Sequence, residues 1–312
     1  MRPAEFNETI YPAFFYRHRF LSPRPFAIMY RPMTLRQSSL FALLFFLIAL
    51  PSTGWSQGRP NGTRLKSSPG LAVTDLGSWK AVQKGAEFRK MALQREDPHQ
   101  LIDLKLARFD TRLIAPRILR SAQYNVKSVN VKTLAEKSGA IAAINANYFD
   151  ENSKPLGFLK AASSEVTPQI SPAALYTGIL AVKDHLPFIV HRDRFTPEQA
   201  DEALQAGPLL LMKGDSLTVS LGAGRQRRRA LVGIDREQRL IIAVTDSLFG
   251  GLSWVELQEL FGAAQWRLQT RDLLNLDGGG SAQLYLRAGQ FEEYVAGATE
   301  VPVVIGFFPK TN

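Results

Sequence analysis

The sequence predicts an α+β fold: a single domain with a mixed, mostly antiparallel sheet and a few packed helices. Short apolar stretches with strand-like alternation recur along the chain, for example at residues 101–109 and 230–245. Helix signals are few, and they do not alternate with the strands as a doubly wound parallel sheet would require. Hydrophobic residues make up 45% of the 312-residue chain, which is enough for a sizeable core.

Residues 1–56 are predicted to be an N-terminal extension and signal peptide. The apolar segment at residues 40–50, LFALLFFLIAL, is shorter than the ~20 residues of a transmembrane helix. Arg36 precedes it and small residues follow it, which is typical of a secretory signal cleaved after Ser56, with an uncleaved anchor as the alternative. Met33 would start a signal peptide of ordinary length. We expect a periplasmic or secreted protein without a stable membrane span after cleavage.

The chain has no cysteine and a formal net charge of +10. An exported protein without cysteine cannot use disulfides, which favours the bacterial periplasm over animal secretion. The excess of basic residues favours anionic ligands or an anionic envelope surface. No basic stripe interleaved with aromatic residues and no recognised nucleic-acid motif occurs, so nucleic acid is not an expected partner.

Residues 57–70 are rich in Gly, Pro and Ser, which predicts a flexible leader, and residues 71–312 are predicted to form the domain. Residues 79–91 are compatible with either a helix or a strand. The apolar pattern predicts strands at residues 101–109, 140–144, 175–182, 188–191, 209–212, 230–234, 240–245, 273–276 and 301–308.

Three segments carry helix signals. Residues 131–138 form a helical pattern that stops at Gly139. Thr196-Pro197-Glu198-Gln199 predicts a helix that starts with Thr at the N-cap and ends by Gly207. Ser253-Trp254-Val255-Glu256 is a capping box that predicts a helix to Phe261.

One stretch combines the end of an apolar run with a carboxylate and three glycines. Residues 273–276 are followed by Asp277-Gly278-Gly279-Gly280-Ser281, and a second apolar run comes next. A strand would deliver the carboxylate to its end, and glycines allow a ligand to approach the backbone N–H groups closely. The alternative is an ordinary hairpin turn, for which Asp-Gly is the commonest signal. The stretch is neither a P-loop nor a nucleophile elbow, since it lacks Gly-Lys-Ser/Thr and the final glycine.

The segment Asn275–Ser281, NLDGGGS, resembles the signature of the phosphodiester glycosidase family. Residues 251–257 are similar to a helix-opening segment of that family, and residues 229–235 resemble its Arg-x-x-x-Gly strand. Gly207-Pro208 matches a Gly-Pro that precedes a strand. The resemblance extends from about residue 140 to residue 308. Where the family has Asn-Gly-Gly-Phe-Phe, this chain has NANYF at residues 145–149, so a loop expected to face the sugar is altered.

The resemblance implies an exported glycosidase that hydrolyses sugar-1-phosphodiester bonds, similar to GlcNAc-1-phosphodiesters, in envelope or extracellular glycans. A carbohydrate phosphodiester is therefore the expected partner. Glycoside hydrolysis usually needs two carboxylates. Asp277 is predicted to act as base or nucleophile, and Asp246, at a predicted strand end, is the best candidate for the second carboxylate. Because a phosphodiester is already a good leaving group, stabilisation of the anion matters more than acid assistance.

Substrate binding is assigned to a larger group of residues. The backbone amides of the glycine turn would hold phosphate or sugar oxygens, a guanidinium would clamp the phosphate, and two asparagines would bind sugar hydroxyls. In that order, these residues are Gly278, Gly279, Gly280 and Ser281; Arg229; and Asn145 and Asn147.

Each assignment has a structural alternative. Asp277 could cap the glycine turn, and Asp246 could begin an ordinary loop. Arg229 belongs to the basic cluster RQRRR at residues 225–229, which could be a solvated loop with one member in a cleft. Asn145 and Asn147 could hydrogen-bond their own backbone as turn residues.

No cofactor is required by the sequence. Asp277, Asp246 and Asn145 offer oxygen ligands that suit a divalent cation such as Ca²⁺, but nothing in their spacing demands one. The four histidines show no zinc pattern. The second functional hypothesis is a non-catalytic envelope protein that binds glycan or a protein partner through the same fold. The altered loop at residues 146–148 favours this second reading, and the intact DGGGS motif favours the first.

Overall fold

The computed structural model describes residues 62–219 and 222–310. The predicted signal peptide lies outside the described residues. Within them, no helix is long and apolar enough to span a membrane. The described part of the chain is dominated by short strands, with two α-helices and a few turns of 3₁₀-helix between them.

The helices are α1 (Val131–Ser138) and α2 (Trp254–Gly262). The strands, in chain order, are β1 (Thr63–Arg64), β2 (Leu71–Asp75), β3 (Lys80–Gln83), β4 (Ala86–Arg95), β5 (Gln100–Phe109), β6 (Ile114–Arg120), β7 (Ala142–Asn145), β8 (Leu159–Ala161), β9 (Ser164–Thr167), β10 (Gly178–Lys183), β11 (Leu186–His191), β12 (Glu202–Ala206), β13 (Leu209–Met212), β14 (Asp215–Ser216), β15 (Ala230–Asp235), β16 (Leu240–Asp246), β17 (Thr270–Asn275), β18 (Leu284–Ala288), β19 (Phe291–Val295) and β20 (Val303–Pro309).

The strands form three sheets, and their pairings are antiparallel. The first sheet has ten strands in the order β1-β2-β4-β5-β16-β15-β17-β13-β14, with β3 paired to β4. The second has the order β11-β10-β12-β8-β9, and the third has the order β19-β18-β7-β20-β6. The prediction of mostly antiparallel structure is confirmed. The fold differs from the prediction in being dominated by strands that divide into three sheets instead of one.

The largest core cluster lies between the sheets. Val232 of β15, Leu180 of β10 and Ile144 of β7 come from the three different sheets, and all three are fully buried in that cluster. The side chains of this cluster are apolar, so packing the sheets together removes them from water. This arrangement brings the start of β15 close to the ends of β7 and β17.

Both α-helices are defined by their caps and cover the outer faces of sheets. The Asn130 side chain accepts a hydrogen bond from the Thr133 N–H at the start of α1, and Gly139 ends this helix with a positive φ. Ser253 and Glu256 form the predicted capping box of α2. The apolar side of α2 packs on the ten-stranded sheet, and that of α1 packs on the third sheet.

Two local predictions differ from the structure. The helix expected from Thr196 to Gly207 is a single 3₁₀ turn at Pro197–Gln199 followed by β12. The capping box forms as predicted, but pairing of β12 with β10 and β8 determines the residues after it. In the expected leader, residues from Gly62 onward are structured: Thr63–Arg64 pairs with β2, and Leu65 is 1% exposed because it packs into the core.

Candidate active site

The DGGGS segment lies where the ten-stranded sheet meets the third sheet. Beyond β17, the Leu276 N–H donates to the Ala230 carbonyl at 2.8 Å, which continues the first sheet. The next amide, that of Asp277, donates to the carbonyl of Ala146 at the end of β7, at 3.0 Å. The chain thus passes from one sheet to the other at Asp277. This crossover fixes the backbone of the carboxylate from both sides.

Two glycines after Asp277 are required by the backbone, Gly278 by a close contact and Gly279 by its conformation. A Cβ atom at Gly278 would lie 2.7 Å from the carbonyl oxygen of Arg228. Gly279 has a φ of +60°, and its N–H donates to that same carbonyl at 2.8 Å. The turn is therefore tied to the segment that carries the arginines, and it sets the position of Asp277 relative to them.

Only part of the glycine turn is available to bind an anion through its amides. The Gly279 N–H is bonded to Arg228 and the Ser281 N–H to Gly278. The Gly278 N–H bonds the carboxylate of Asp277 itself. Within the described residues, the Gly280 N–H is the one of these four amides without an internal acceptor. The predicted cradle of four amides therefore reduces to one.

A cleft of about 470 Å³ opens beside this turn. Its lining contains one carboxylate, that of Asp277, among the described residues. It contains three guanidinium groups, from Arg225, Arg227 and Arg229. Of the three residues assigned to the carboxylate, the phosphate clamp and the first sugar contact, Asp277 and Arg229 line this cleft and Asn145 does not. The residues that line the cleft are Tyr148, Leu175, Gly222, Arg225, Arg227, Arg229, Trp254, Asp277, Gly278 and Gly279.

The Asp277 carboxyl is half-buried at the base of this cleft. Burial raises its pKa to about 6, while hydrogen bonds from the Ser281 side chain and the Gly278 amide act in the opposite direction. Near neutral pH, most of the group is therefore ionised, yet it holds a proton far more readily than an exposed aspartate. A carboxylate in this state can act as a base or a nucleophile.

Arg229 is 4% exposed, and it lies just before β15. Its Nε donates to the Leu252 carbonyl at 2.9 Å, and Nη2 donates to the Arg225 carbonyl. The guanidinium lies 4.8 Å from the centre of the Trp254 ring. Burial lowers its pKa to about 10, so it remains charged at neutral pH. No carboxylate in the described residues forms an ion pair with it.

Asn145 and Asn147 do not occupy the positions expected of sugar ligands. Asn145 is fully buried, where Nδ2 donates to the Asp277 carbonyl at 2.7 Å and Oδ1 accepts from the Gln283 N–H at 3.0 Å. It therefore holds the backbone on both sides of the glycine turn. Asn147 is 3% exposed, and it donates to the Tyr148 carbonyl. Neither asparagine lines the cleft.

Asp246 is predicted to be the second carboxylate, but it is not among the residues that line the cleft with Asp277. It ends β16, where its carboxylate accepts a hydrogen bond from Lys105 Nζ at 2.7 Å. Lys105 also bonds Glu293, at 2.8 Å. Lys105 lies on β5 and Glu293 on β19, so no pattern local to Asp246 could have indicated this ion pair.

Sequence reasoning missed a network that shapes the floor of the cleft. Asn275 Oδ1 accepts from the Trp254 indole N–H at 3.2 Å, and Asn275 Nδ2 donates to the Gly207 carbonyl at 2.8 Å. Asn275 Nδ2 also bonds the Tyr148 hydroxyl, at 3.1 Å. Burial, reinforced by the charge of Asp277, raises the pKa of Tyr148 above its usual range. Asn275 lies two residues before Asp277 in the motif, and this proximity is the sequence feature that could have indicated its role in the site.

Two of the three oxygen ligands considered for a cation already have partners within the described chain. Asn145 uses both ends of its amide internally, and Asp246 is bound to Lys105. Among the described residues, no group of three or more His, Asp or Glu side chains is arranged to hold a metal ion.

A carboxylate that shares a cleft with three arginines is suited to an anionic ligand. The comparison with protein families is more specific: the profile of the phosphodiester glycosidase family matches residues 138–308. The chain belongs to this family, whose name places it among glycosidase-type hydrolases. No curated protein sequence matches the chain.

Two solved structures resemble this fold. One is the catalytic domain of zebrafish N-acetylglucosamine-1-phosphodiester alpha-N-acetylglucosaminidase, auto-inhibited by its pro-peptide, with a TM-score of 0.56 and 15% identity. The match covers 77% of this chain and 88% of that one. The other is a hypothetical protein from Synechocystis, with a TM-score of 0.53, 16% identity and coverage of 76% and 65%. At these identities the similarity concerns the fold.

Proposed function

We propose that this chain is an exported glycosidase that hydrolyses sugar-1-phosphodiester bonds in envelope or extracellular glycans. The observation that carries the proposal is the meeting of Asp277 and Arg229 in one cleft. The family match supports the reaction class, and the zebrafish structure, which is named for a GlcNAc-1-phosphodiester, supports the choice of sugar to test first.

The substrate is proposed to bind with its phosphate at Arg229. Two backbone carbonyls and the Trp254 ring fix this guanidinium, so it is oriented before substrate arrives. Its charge is not neutralised by any carboxylate of the described chain, and a phosphodiester oxygen can take that place. The anomeric carbon then faces Asp277 across the cleft.

Asp277 is proposed to act at the anomeric carbon, either as a nucleophile or as the base that takes a proton from water. In both routes, the C1–O bond to phosphate breaks and its electron pair leaves with the phosphate oxygen. The leaving group becomes a phosphomonoester with one more negative charge, which Arg229 stabilises. Hydrolysis is completed by water, and with a nucleophilic Asp277 this occurs by cleavage of the glycosyl ester.

One carboxylate suffices in this scheme. A glycosidase that releases an alcohol needs an acid to protonate the leaving oxygen, whereas a phosphomonoester leaves as a stable anion. Asp246, which is bonded to Lys105, takes no part in the proposed reaction.

The altered loop does not weigh against catalysis. Ala146 and Asn147 are buried, 1% and 3% exposed, and they lie beside the cleft instead of facing it. Tyr148 lines the cleft and holds Gly207 and Asn275 through its hydroxyl. Of the three replaced residues, Ala146 and Asn147 are therefore outside the cleft lining, and Tyr148 is the one that lines it.

The test is hydrolysis of a GlcNAc-α-1-phosphodiester by the purified chain, with and without EDTA. We expect turnover by the wild type and a loss of at least about 1,000-fold in Asp277→Asn, because the reacting group is removed. Asp246→Asn is the matched variant, and it should keep turnover within about threefold of the wild type. Turnover at the wild-type rate in a folded Asp277→Asn variant would contradict the assignment. The EDTA arm shows whether a metal takes part.

A further inference from the structure

The charge in the cleft exceeds what one phosphodiester needs. Its lining holds three arginines and one carboxylate among the described residues, which leaves two positive charges in excess. A phosphodiester carries a single negative charge. With it bound, one positive charge in the cleft would still lack a partner.

The two additional arginines are held at the mouth of the cleft by their backbone. Arg225 is anchored because its N–H donates to the Gly222 carbonyl at 3.0 Å and its carbonyl accepts from Arg229. Arg227 pairs with Leu252 through two hydrogen bonds, Arg227 N–H to Leu252 O at 3.3 Å and Leu252 N–H to Arg227 O at 3.0 Å. The positions from which these side chains extend are therefore fixed.

These two arginines are exposed, and within the described residues neither forms an ion pair. Arg228 follows Arg227 in sequence and behaves differently, since its Nη2 donates to the carbonyls of Ala282 and Ala296. Arg225 and Arg227 thus line the cleft, while Arg228 forms hydrogen bonds within the fold.

We propose that the substrate carries a second anionic group on its aglycone, beyond the scissile phosphodiester, and that Arg225 and Arg227 bind this group. This inference rests on the proposed function. It defines the substrate class as a glycosyl phosphodiester next to another phosphate or a carboxylate, as in a polyanionic glycan. A cleft lined by one sign of charge concentrates such an anion and orients it, with the inner phosphate at Arg229.

The test compares two substrates that differ in one charged group: GlcNAc-α-1-phosphoglycerol and GlcNAc-α-1-phosphoglycerate, in which a carboxylate replaces the terminal hydroxymethyl group of the glycerol. For the wild type at low salt, we expect kcat/KM to be at least about tenfold higher for the doubly charged ester. This preference should shrink as salt is raised, since the outer arginines are exposed to solvent. Equal or weaker hydrolysis of the doubly charged ester would overturn the inference and leave the proposed function intact.

The variant that removes the outer charges is Arg225→Gln/Arg227→Gln. We expect kcat/KM to fall about 30-fold or more for the doubly charged ester and only about three- to fivefold for the singly charged one. The matched control is Arg236→Gln, because Arg236 is also exposed but follows the opposite end of β15. Equal losses on both esters in the double variant would contradict a second anion site.

Equilibrium binding separates this inference from the proposed function. If neither ester is hydrolysed, the proposed function fails, and titration of both esters into the wild type then decides the inference by itself. Tighter binding of the doubly charged ester that disappears in the double variant supports the second anion site. Equal binding of the two esters overturns it.

Discussion

Arg95 and Arg229 are two buried arginines that both contact the segment 251–256, but one has a carboxylate partner within the fold and the other does not. Arg95 is 2% exposed and Arg229 is 4% exposed. The Arg95 guanidinium meets Glu256 with two hydrogen bonds, at 2.8 and 3.1 Å, and it also donates to the Gly251 carbonyl. Arg229 has carbonyls and the Trp254 ring around it but no carboxylate in the described chain.

The difference lies in which molecule neutralises the charge. Burial raises the pKa of Glu256, but hydrogen bonds from Arg95 and Ser253 outweigh it and lower the pKa below its usual range. The Arg95–Glu256 pair is thus complete within the fold. Burial of Arg229 costs stability, as its lowered pKa of about 10 shows, and its charge stays open to the cleft. A buried charge left without an internal partner is a sign of a binding site.

The largest effect on stability is expected from removing one partner of the buried Arg95–Glu256 ion pair. Arg95→Met leaves the Glu256 carboxylate buried and unpaired, which should lower the free energy of unfolding by about 3–5 kcal/mol. Urea unfolding followed by circular dichroism measures this change. In the double variant Arg95→Met/Glu256→Leu, most of the stability should return, because no unpaired charge remains. A single variant as stable as the wild type would show that the pair is not closed as described.

The same substitution at Arg229, whose charge has no carboxylate partner in the described chain, should affect activity more than stability. Arg229→Met should lower kcat/KM on a GlcNAc-α-1-phosphodiester by about 100- to 1,000-fold, the range seen when one transition-state donor is removed. Its free energy of unfolding should change by no more than about 1 kcal/mol, since relief from burying a charge offsets two lost hydrogen bonds. A stability loss as large as that of Arg95→Met would remove the distinction between the two arginines.

Asp277, like Arg229, should lower the stability of the fold, and because its carboxyl group titrates, this cost should depend on pH. Its native pKa of about 6 lies above its unfolded value, so ionisation destabilises the fold as pH rises from about 4 through 6. Asp277→Asn avoids this cost and should be more stable than the wild type by about 1–2 kcal/mol at pH 7.5, after allowance for solvent in the cleft. The gain should vanish below about pH 4. Thermal unfolding between pH 4 and pH 8 provides the measurement, and a pH-independent difference would contradict it.

The smallest expected effect concerns the ring beneath Arg229. Trp254→Phe keeps an aromatic face for the guanidinium and should change KM by less than about threefold. Trp254→Leu removes the face and should raise KM by about five- to tenfold. Steady-state kinetics of the two variants, with stability measured in parallel, isolate the stacking contribution. Equal KM values in both would mean that the ring only fills space.

Local signals were enough to predict much of the fold and the centre of the site. The caps at Asn130 and Ser253 and the alternation of residues 101–109 depend on neighbours in sequence, and the structure has the expected helices and strand. The motif predicts a carboxylate at the end of a strand, and Asp277 follows β17 closely, whereas the crossover to another sheet at this point is not among the predictions. Arg229 was identified because it begins a recognisable strand.

The features that sequence did not indicate involve partners distant in sequence. Asp246 is neutralised by Lys105 on another strand, and Asn145 is turned toward the Asp277 backbone by the third sheet. The strand after Gln199 replaced a predicted helix because pairing with β10 and β8 outweighed the helix-start signal. The β-bridge between Arg227 and Leu252 helps to determine which arginines of the cluster line the cleft. No rule of sequence spacing indicates that contact.

The most direct test of whether the Arg229 guanidinium binds the ligand's anion is equilibrium binding without turnover. A phosphonate analogue of a GlcNAc-1-phosphodiester, in which carbon replaces the scissile oxygen, is titrated into the wild type and into Arg229→Met by calorimetry. We expect the affinity to be about 10- to 100-fold weaker in the folded variant, the effect of one charged hydrogen-bonding group. Unchanged affinity would contradict it, because the ligand anion would then be bound by some other group.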